Sequence, residues 1–73
     1  MTISFAVRGE YIQLDQLLKA TGLAGTGGEA HAAVEGQRVR VDGRVELRKR
    51  AKLRPGQTVA FANETIVLVA AQG

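Results

Sequence analysis

The residues of this chain best suited to chemistry are its cations, and they crowd into one stretch. Between Arg38 and Arg54 stand Arg38, Arg40, Arg44, Arg48, Lys49, Arg50, Lys52 and Arg54, eight basic residues against two acids, Asp42 and Glu46. The local excess is six positive charges, whereas the whole chain carries +3, so the remainder is net negative. A solvated surface usually interleaves both signs. Cations packed this closely repel one another and call for an anionic partner to compensate them. Arginine outnumbers lysine six to two here, and its planar fork matches paired phosphate oxygens better than an ammonium does. The chemistry indicated is recognition of a polyphosphate, a nucleic acid above all.

Catalysis is poorly provided for. The chain has one histidine and no cysteine, and its acids are scattered singly, so no nucleophile and base pair and no metal-ligand spacing can be assembled. His31 reads as a surface histidine able to touch a phosphate rather than as a ligand or general base. The glycines Gly22, Gly25, Gly27 and Gly28 resemble a phosphate loop only in composition, because Glu29 follows Gly28 where a P-loop has Lys and Ser/Thr. No cofactor is expected. With no cysteine, neither a disulfide framework nor a thiolate metal site is possible. The opening Met1–Val7 lacks the basic leader of a targeting segment, and a cytoplasmic protein without membrane contact is expected.

The aromatic residues are Phe5, Tyr11 and Phe61. Both phenylalanines fall at inward strand positions, so a platform of exposed rings for stacking single-stranded bases is missing. Recognition must then rest on backbone charge and shape. Structured RNA fits that better than a single strand, although charge alone does not separate RNA from duplex DNA.

These cations need elements to position them, and 73 residues with 45% apolar side chains suffice for one small domain, residues 1–73, with a thin core. Ile3, Phe5 and Val7 alternate with polar or small neighbours, which predicts a strand at about residues 2–7. Leu14, Leu17 and Leu18 mark one face of a helix over about 13–21, closed by Gly22. Thr26 and Glu29 have capping-box spacing and predict a second helix over about 27–35, ending at Gly36, with a mostly alanine inner face. Arg38–Val41 alternates as a strand and Asp42-Gly43 signals a hairpin. A three-residue loop, Val41-Asp42-Gly43, would pair Val39 with Val45, Arg38 with Glu46 and Arg40 with Arg44, which keeps one face apolar. A two-residue loop would mix the faces, so the first register is expected. Arg48–Lys52 reads as an exposed edge or loop, Pro55-Gly56 and Asn63-Glu64 as turns, and the runs around Val59-Phe61 and Ile66-Val69 as the last strands. The fold class is α+β, two helices on a small, mainly antiparallel sheet in the order β-α-α-β-β-β-β.

Leu14-Asp15-Gln16-Leu17-Leu18-Lys19, Gly22, Glu29-Ala30 and Val39-Arg40-Val41-Asp42-Gly43 together resemble the S4-type RNA-binding domain. The run Val41-Asp42-Gly43-Arg44-Val45-Glu46-Leu47-Arg48-Lys49-Arg50-Ala51-Lys52, followed by Gly56-Gln57-Thr58-Val59, is similar to the small stand-alone bacterial S4-like proteins of the YbcJ type. The resemblance implies the S4-like, or alpha-L, arrangement of two helices and a hairpin, and an RNA-binding surface built on them. Many members place an arginine where this chain has Gly27 and a basic residue at the His31 position, so the weight moves to the hairpin and the segment after it. The expected RNA-binding residues are Arg38, Arg40, Arg44, Arg48, Lys49, Arg50 and Lys52, with Lys19 and His31 flanking. The expected function is non-enzymatic binding of structured RNA by a monomer, ribosomal RNA being a plausible target by resemblance. The rival reading is an adaptor that docks on an acidic protein partner, RNA contact being incidental.

Overall fold

The computed structural model describes residues 1–71. The first strand, β1 (Thr2–Val7), leads into a two-residue strand β2 (Ile12–Gln13) and helix α1 (Leu14–Ala20). Helix α2 (Gly27–Glu35) follows, then β3 (Arg40–Val41), β4 (Arg44–Val45), β5 (Lys52–Leu53), β6 (Thr58–Phe61) and β7 (Glu64–Ala70). Five strands form one mixed sheet in the order β1-β7-β6-β3-β4, and β2 pairs with β5 in a separate two-stranded sheet. β1 runs parallel to β7, while the other three pairings of the large sheet are antiparallel. The α+β class and the two-helix arrangement match the sequence reading; β2 and β5 are additions to it.

The helices form where the pattern places them. Leu14, Leu17 and Leu18 are fully buried, each such side chain contributing about 1.5–3 kcal/mol. Gly22 takes a left-handed φ of 79° just beyond α1 and donates its amide to the Lys19 carbonyl. At the start of α2, Thr26 Oγ1 accepts the Glu29 amide at 3.1 Å, and the Glu29 carboxylate reaches back to the amide of Gly25 at 2.7 Å. The inner face of α2 is Ala30, Ala33 and Val34. Its small side chains let it lie close to α1 over the core of Val7, Val39, Leu53, Val59, Ile66 and Leu68. Phe5 and Phe61 pack against that core from inward positions.

The hairpin register differs from the expected one. Arg40 stands opposite Val45 and Val41 opposite Arg44, and the Glu46 amide donates to the Val39 carbonyl. The connection is therefore the two-residue Asp42-Gly43 turn, with φ of 51° and 84°, the left-handed pair that matches strand twist. Two facts explain why matching apolar faces did not decide it. β4 contributes nothing to the core, since both its residues are exposed, so its facing pattern carries no burial energy. Asp42 is also fastened elsewhere: its carboxylate accepts the Thr58 amide at 2.9 Å and the Gln57 side-chain amide at 3.3 Å. Arg40 and Arg44 are thus not cross-strand neighbours, and the repulsion expected between them is absent.

The two later turns also have definite forms. Pro55-Gly56 turns with Gly56 at φ 97° and the Gln57 amide on the Arg54 carbonyl. The β6–β7 turn is centred on Ala62-Asn63, one residue earlier than the Asn63-Glu64 signal, with Phe61 opposite Glu64.

Candidate nucleic-acid interface

The segment between β4 and β5 is an ordered loop rather than an exposed edge. Glu46 organises its entry: one carboxylate oxygen accepts the Arg48 amide at 3.0 Å and Arg48 Nε at 3.2 Å. The Ala51 amide then bonds the Arg48 carbonyl, closing a turn over residues 48–51, and Ala51 plugs into the core. The carbonyls of Lys49 and Ala51 accept the amides of Asp15 and Leu14 at 3.0 and 2.9 Å. Gln13 gives α1 no side-chain cap, so the loop backbone satisfies donors that a helix start otherwise leaves open. Lys52 begins β5 instead of ending the loop.

Fastening the backbone leaves the side chains out. Arg48, Lys49 and Arg50 keep 79%, 47% and 70% side-chain exposure. Each has one carboxylate neighbour: Glu46 at 3.2 Å from Arg48, Glu35 at 3.8 Å from Lys49 and Asp15 at 4.0 Å from Arg50. The Lys49–Glu35 pair is a loose surface pair, of the kind contributing about 0–1 kcal/mol. At 4.0 Å Asp15 touches only the edge of an otherwise exposed Arg50, so both acids steer the cations more than they neutralise them.

Asp15 is the acid that sequence reasoning missed. It lies in the first turn of α1 at 8% exposure, unusual for a carboxylate. Its Oδ1 accepts the Gln16 amide at 2.8 Å and its Oδ2 lies 3.0 Å from His31 Nε2. Burial by itself raises the Asp15 pKa, but the His31 hydrogen bond, the Gln16 amide and the charges of His31 and Arg50 outweigh it, so the carboxyl is held below its usual value. Glu46 is likewise lowered, chiefly by the Arg48 side-chain hydrogen bond, against a smaller opposing effect of burial. His31 is therefore not the unattached surface histidine expected; it bridges α2 to α1.

The expected cations divide into three groups. Arg48, Lys49 and Arg50 gather with His31 on the helical side. Lys19 lies four residues beyond Asp15 on α1, hence on the same face of that helix, and Arg44 shares the side of the sheet occupied by Val41. Lys52 belongs to the small sheet, its Nζ 5.0 Å from the centre of the Tyr11 ring, a cation–π contact. Arg38 and Arg40 go elsewhere: Arg40 shares a face with Ala60, Thr65 and Val45, opposite to that of the buried Val39 and Val41. Period-two alternation in the Arg38–Val41 run was the signal for this separation. Among the described residues no group of three His, Asp or Glu side chains is arranged to hold a metal ion, and no helix is long and apolar enough to cross a membrane.

Comparison with known proteins gives concordant results. A family model described as "S4 domain" matches residues 5–69. YbcJ of Escherichia coli K12, described as a candidate RNA-binding protein, is 43% identical over 60 residues, covering 82% of this chain and 86% of its own length. YbcJ of Shigella flexneri, described as uncharacterized, matches equally. The solution structure of E. coli YbcJ, described as revealing an αL motif involved in RNA binding, superposes with a TM-score of 0.68 at 40% identity over 94% of this chain and 86% of that one.

Proposed function

The chain belongs to the S4 domain family, and from that premise we propose that it is a non-catalytic, cytoplasmic RNA-binding protein whose basic loop grips structured RNA, ribosomal RNA in particular. Arg48, Lys49 and Arg50 make the principal contacts. Arg44, His31 and Lys19 border them, and Lys52 lies at the margin. The RNA-related descriptions of the E. coli relative and of its structure support the ligand class.

One observation carries the choice of the loop: its backbone is bonded to the start of α1 while its three cationic side chains stand in solvent. Binding normally loses free energy to ordering the segments that make contact. Here the main chain is ordered beforehand, and the arginines retain N–H groups for phosphate oxygens beyond those facing their carboxylates. A phosphodiester chain adds charge-assisted hydrogen bonds to these cations and releases its own counterions. Nothing in this arrangement needs base edges, so the preference is for a folded backbone shape.

The test is ultraviolet crosslinking in cells followed by sequencing of the attached RNA, for the native chain and for the Arg48→Ala/Lys49→Ala/Arg50→Ala variant. Ribosomal RNA fragments enriched with the native chain and depleted with the variant are expected. Equal recovery with both proteins would remove the loop from the interface, and enrichment of another RNA class would replace the ribosomal target.

A further inference from the structure

The face of the sheet turned away from the helices carries two arginines that the basic loop does not account for. Arg40 stands opposite Ala60 and Val45, and Ala60 opposite Thr65, which places all four on this outer face; Arg38, two residues before Arg40, falls on the same side. Neither arginine makes an ion pair among the described residues. Both border an open groove of about 580 Å³ that includes Ala60 and Thr65. Glu64 also borders it, but that carboxylate faces the N-terminal ammonium at 3.6 Å.

Beside the arginines, the face presents bare aliphatic surface. Val45 is 39% and Leu47 66% exposed. Leu47 lies just past the end of β4, where the Glu46 amide on the Val39 carbonyl carries the pairing one residue further, so alternation puts Leu47 on the side of Val45. Aliphatic side chains left in water next to unpaired guanidinium groups gain from being covered, and arginine beside apolar surface is characteristic of contacts between proteins. A single-stranded nucleic acid would instead want aromatic rings. The register gives this face Thr2, Ser4, Thr58, Ala60, Thr65 and Val67 around the arginines. Phe61 also lines the groove, but its strand position is on the inner side with Val59 and its ring packs against the core, so it offers no open stacking platform.

We propose that the outer sheet face docks an acidic segment of a protein partner, whose carboxylates engage Arg38 and Arg40 while its apolar side chains cover Val45 and Leu47. This surface is distinct from the helical side that carries Arg48, Lys49 and Arg50, so the protein can hold a partner and an RNA at once. Two exposed charges and two exposed aliphatics can be changed here without touching the core.

The experiment follows backbone amide shifts of the isotopically labelled full chain while a synthetic peptide of alternating glutamate and leucine is added, with a glutamine-for-glutamate peptide as control and an RNA hairpin added afterwards. The expected shifts centre on Arg38, Arg40, Val45, Leu47 and Ala60. Affinity is expected to fall about tenfold or more in Arg38→Ala/Arg40→Ala and with the glutamine peptide, and severalfold in Leu47→Ser. The hairpin is expected to move residues 48–50 without displacing the peptide. Absence of peptide binding, or peptide shifts confined to residues 48–50, would overturn the proposal. Hairpin shifts centred on Arg38 and Arg40 would make this an RNA surface and overturn it equally. Since the hairpin is read separately at residues 48–50, failure of the docking proposal and failure of the RNA reading remain distinguishable.

Discussion

His31 Nε2 lies 3.0 Å from Asp15 Oδ2, a contact that joins α2 to the first turn of α1 beside the loop bearing Arg48, Lys49 and Arg50. The same carboxylate oxygen faces Arg50 at 4.0 Å. A single acid, set in a helix whose first amides the loop itself caps, thus orients two of the groups in the proposed RNA interface.

Asp15→Asn separates positioning from charge. The substitution makes the protein more positive, so an account by net charge alone expects tighter RNA binding. The positioning account expects weaker binding by about fivefold, near the net contribution of one hydrogen bond, with the salt dependence little changed. Titration of a hairpin RNA by fluorescence anisotropy reads both quantities, and tighter binding would refute the role given to Asp15.

Stability should depend on pH through the same carboxylate. Asp15 titrates below its usual value of 3.8 in the folded protein, so the folded state favours the ionised form. Its stabilisation is then fully present above the unfolded value and disappears as pH falls through the lower, folded one. Glu46, lowered in the same sense from 4.5 by Arg48, adds to this loss in acid. Urea unfolding of the native chain and of Asp15→Asn should show the native chain more stable near pH 6, with the gap closing below about pH 4. A gap that widens in acid would contradict the sign.

Beyond the end of α2 and its cap Gly36, Gln37 lies in the left-handed region at φ 59°, its amide on the Val34 carbonyl and the Arg38 amide on the Ala33 carbonyl. That hydrogen-bond pair normally surrounds a glycine. Gln37→Gly should therefore raise stability by about 0.5–1 kcal/mol, and Gly43→Ala, at φ 84° in the hairpin, should lower it by about 1 kcal/mol or more. Thermal unfolding of the two variants is expected to shift in opposite directions; a lower midpoint for Gln37→Gly would show that the glutamine side chain stabilises more than its backbone strain costs.

Much of the architecture was legible because it depends on local rules. The leucine stripe of α1, the Thr26 and Glu29 cap, and the Pro55-Gly56 turn each follow from neighbours in sequence. The hairpin register was not legible, since it turned on whether β4 reaches the core and on where the Asp42 carboxylate is bonded, both matters of tertiary contact. The two-residue strands Ile12–Gln13 and Lys52–Leu53 are too short for any periodicity to reveal. As for the candidate site, the cations could be counted from the chain and alternation set Arg38 and Arg40 on one strand face, but where the loop cations lie relative to that face depends on the folded sheet. Arg38 and Arg40 belong to the same basic run as Arg48 and Arg50, yet the sheet turns them to its other side. Asp15 escaped notice because a lone acid in a first helical turn looks like an ordinary dipole partner.

The most direct measurement is the affinity of a hairpin RNA as a function of salt concentration, for the native chain and for Arg48→Ala/Lys49→Ala/Arg50→Ala, with folding checked by circular dichroism. Each phosphate neutralised adds about 0.7–0.9 to the steepness with which log affinity falls against log salt. If the three loop cations meet the RNA backbone, the variant stays folded, binds more weakly and loses about 2–3 from that slope. Identical affinities and slopes for the two proteins would contradict the account.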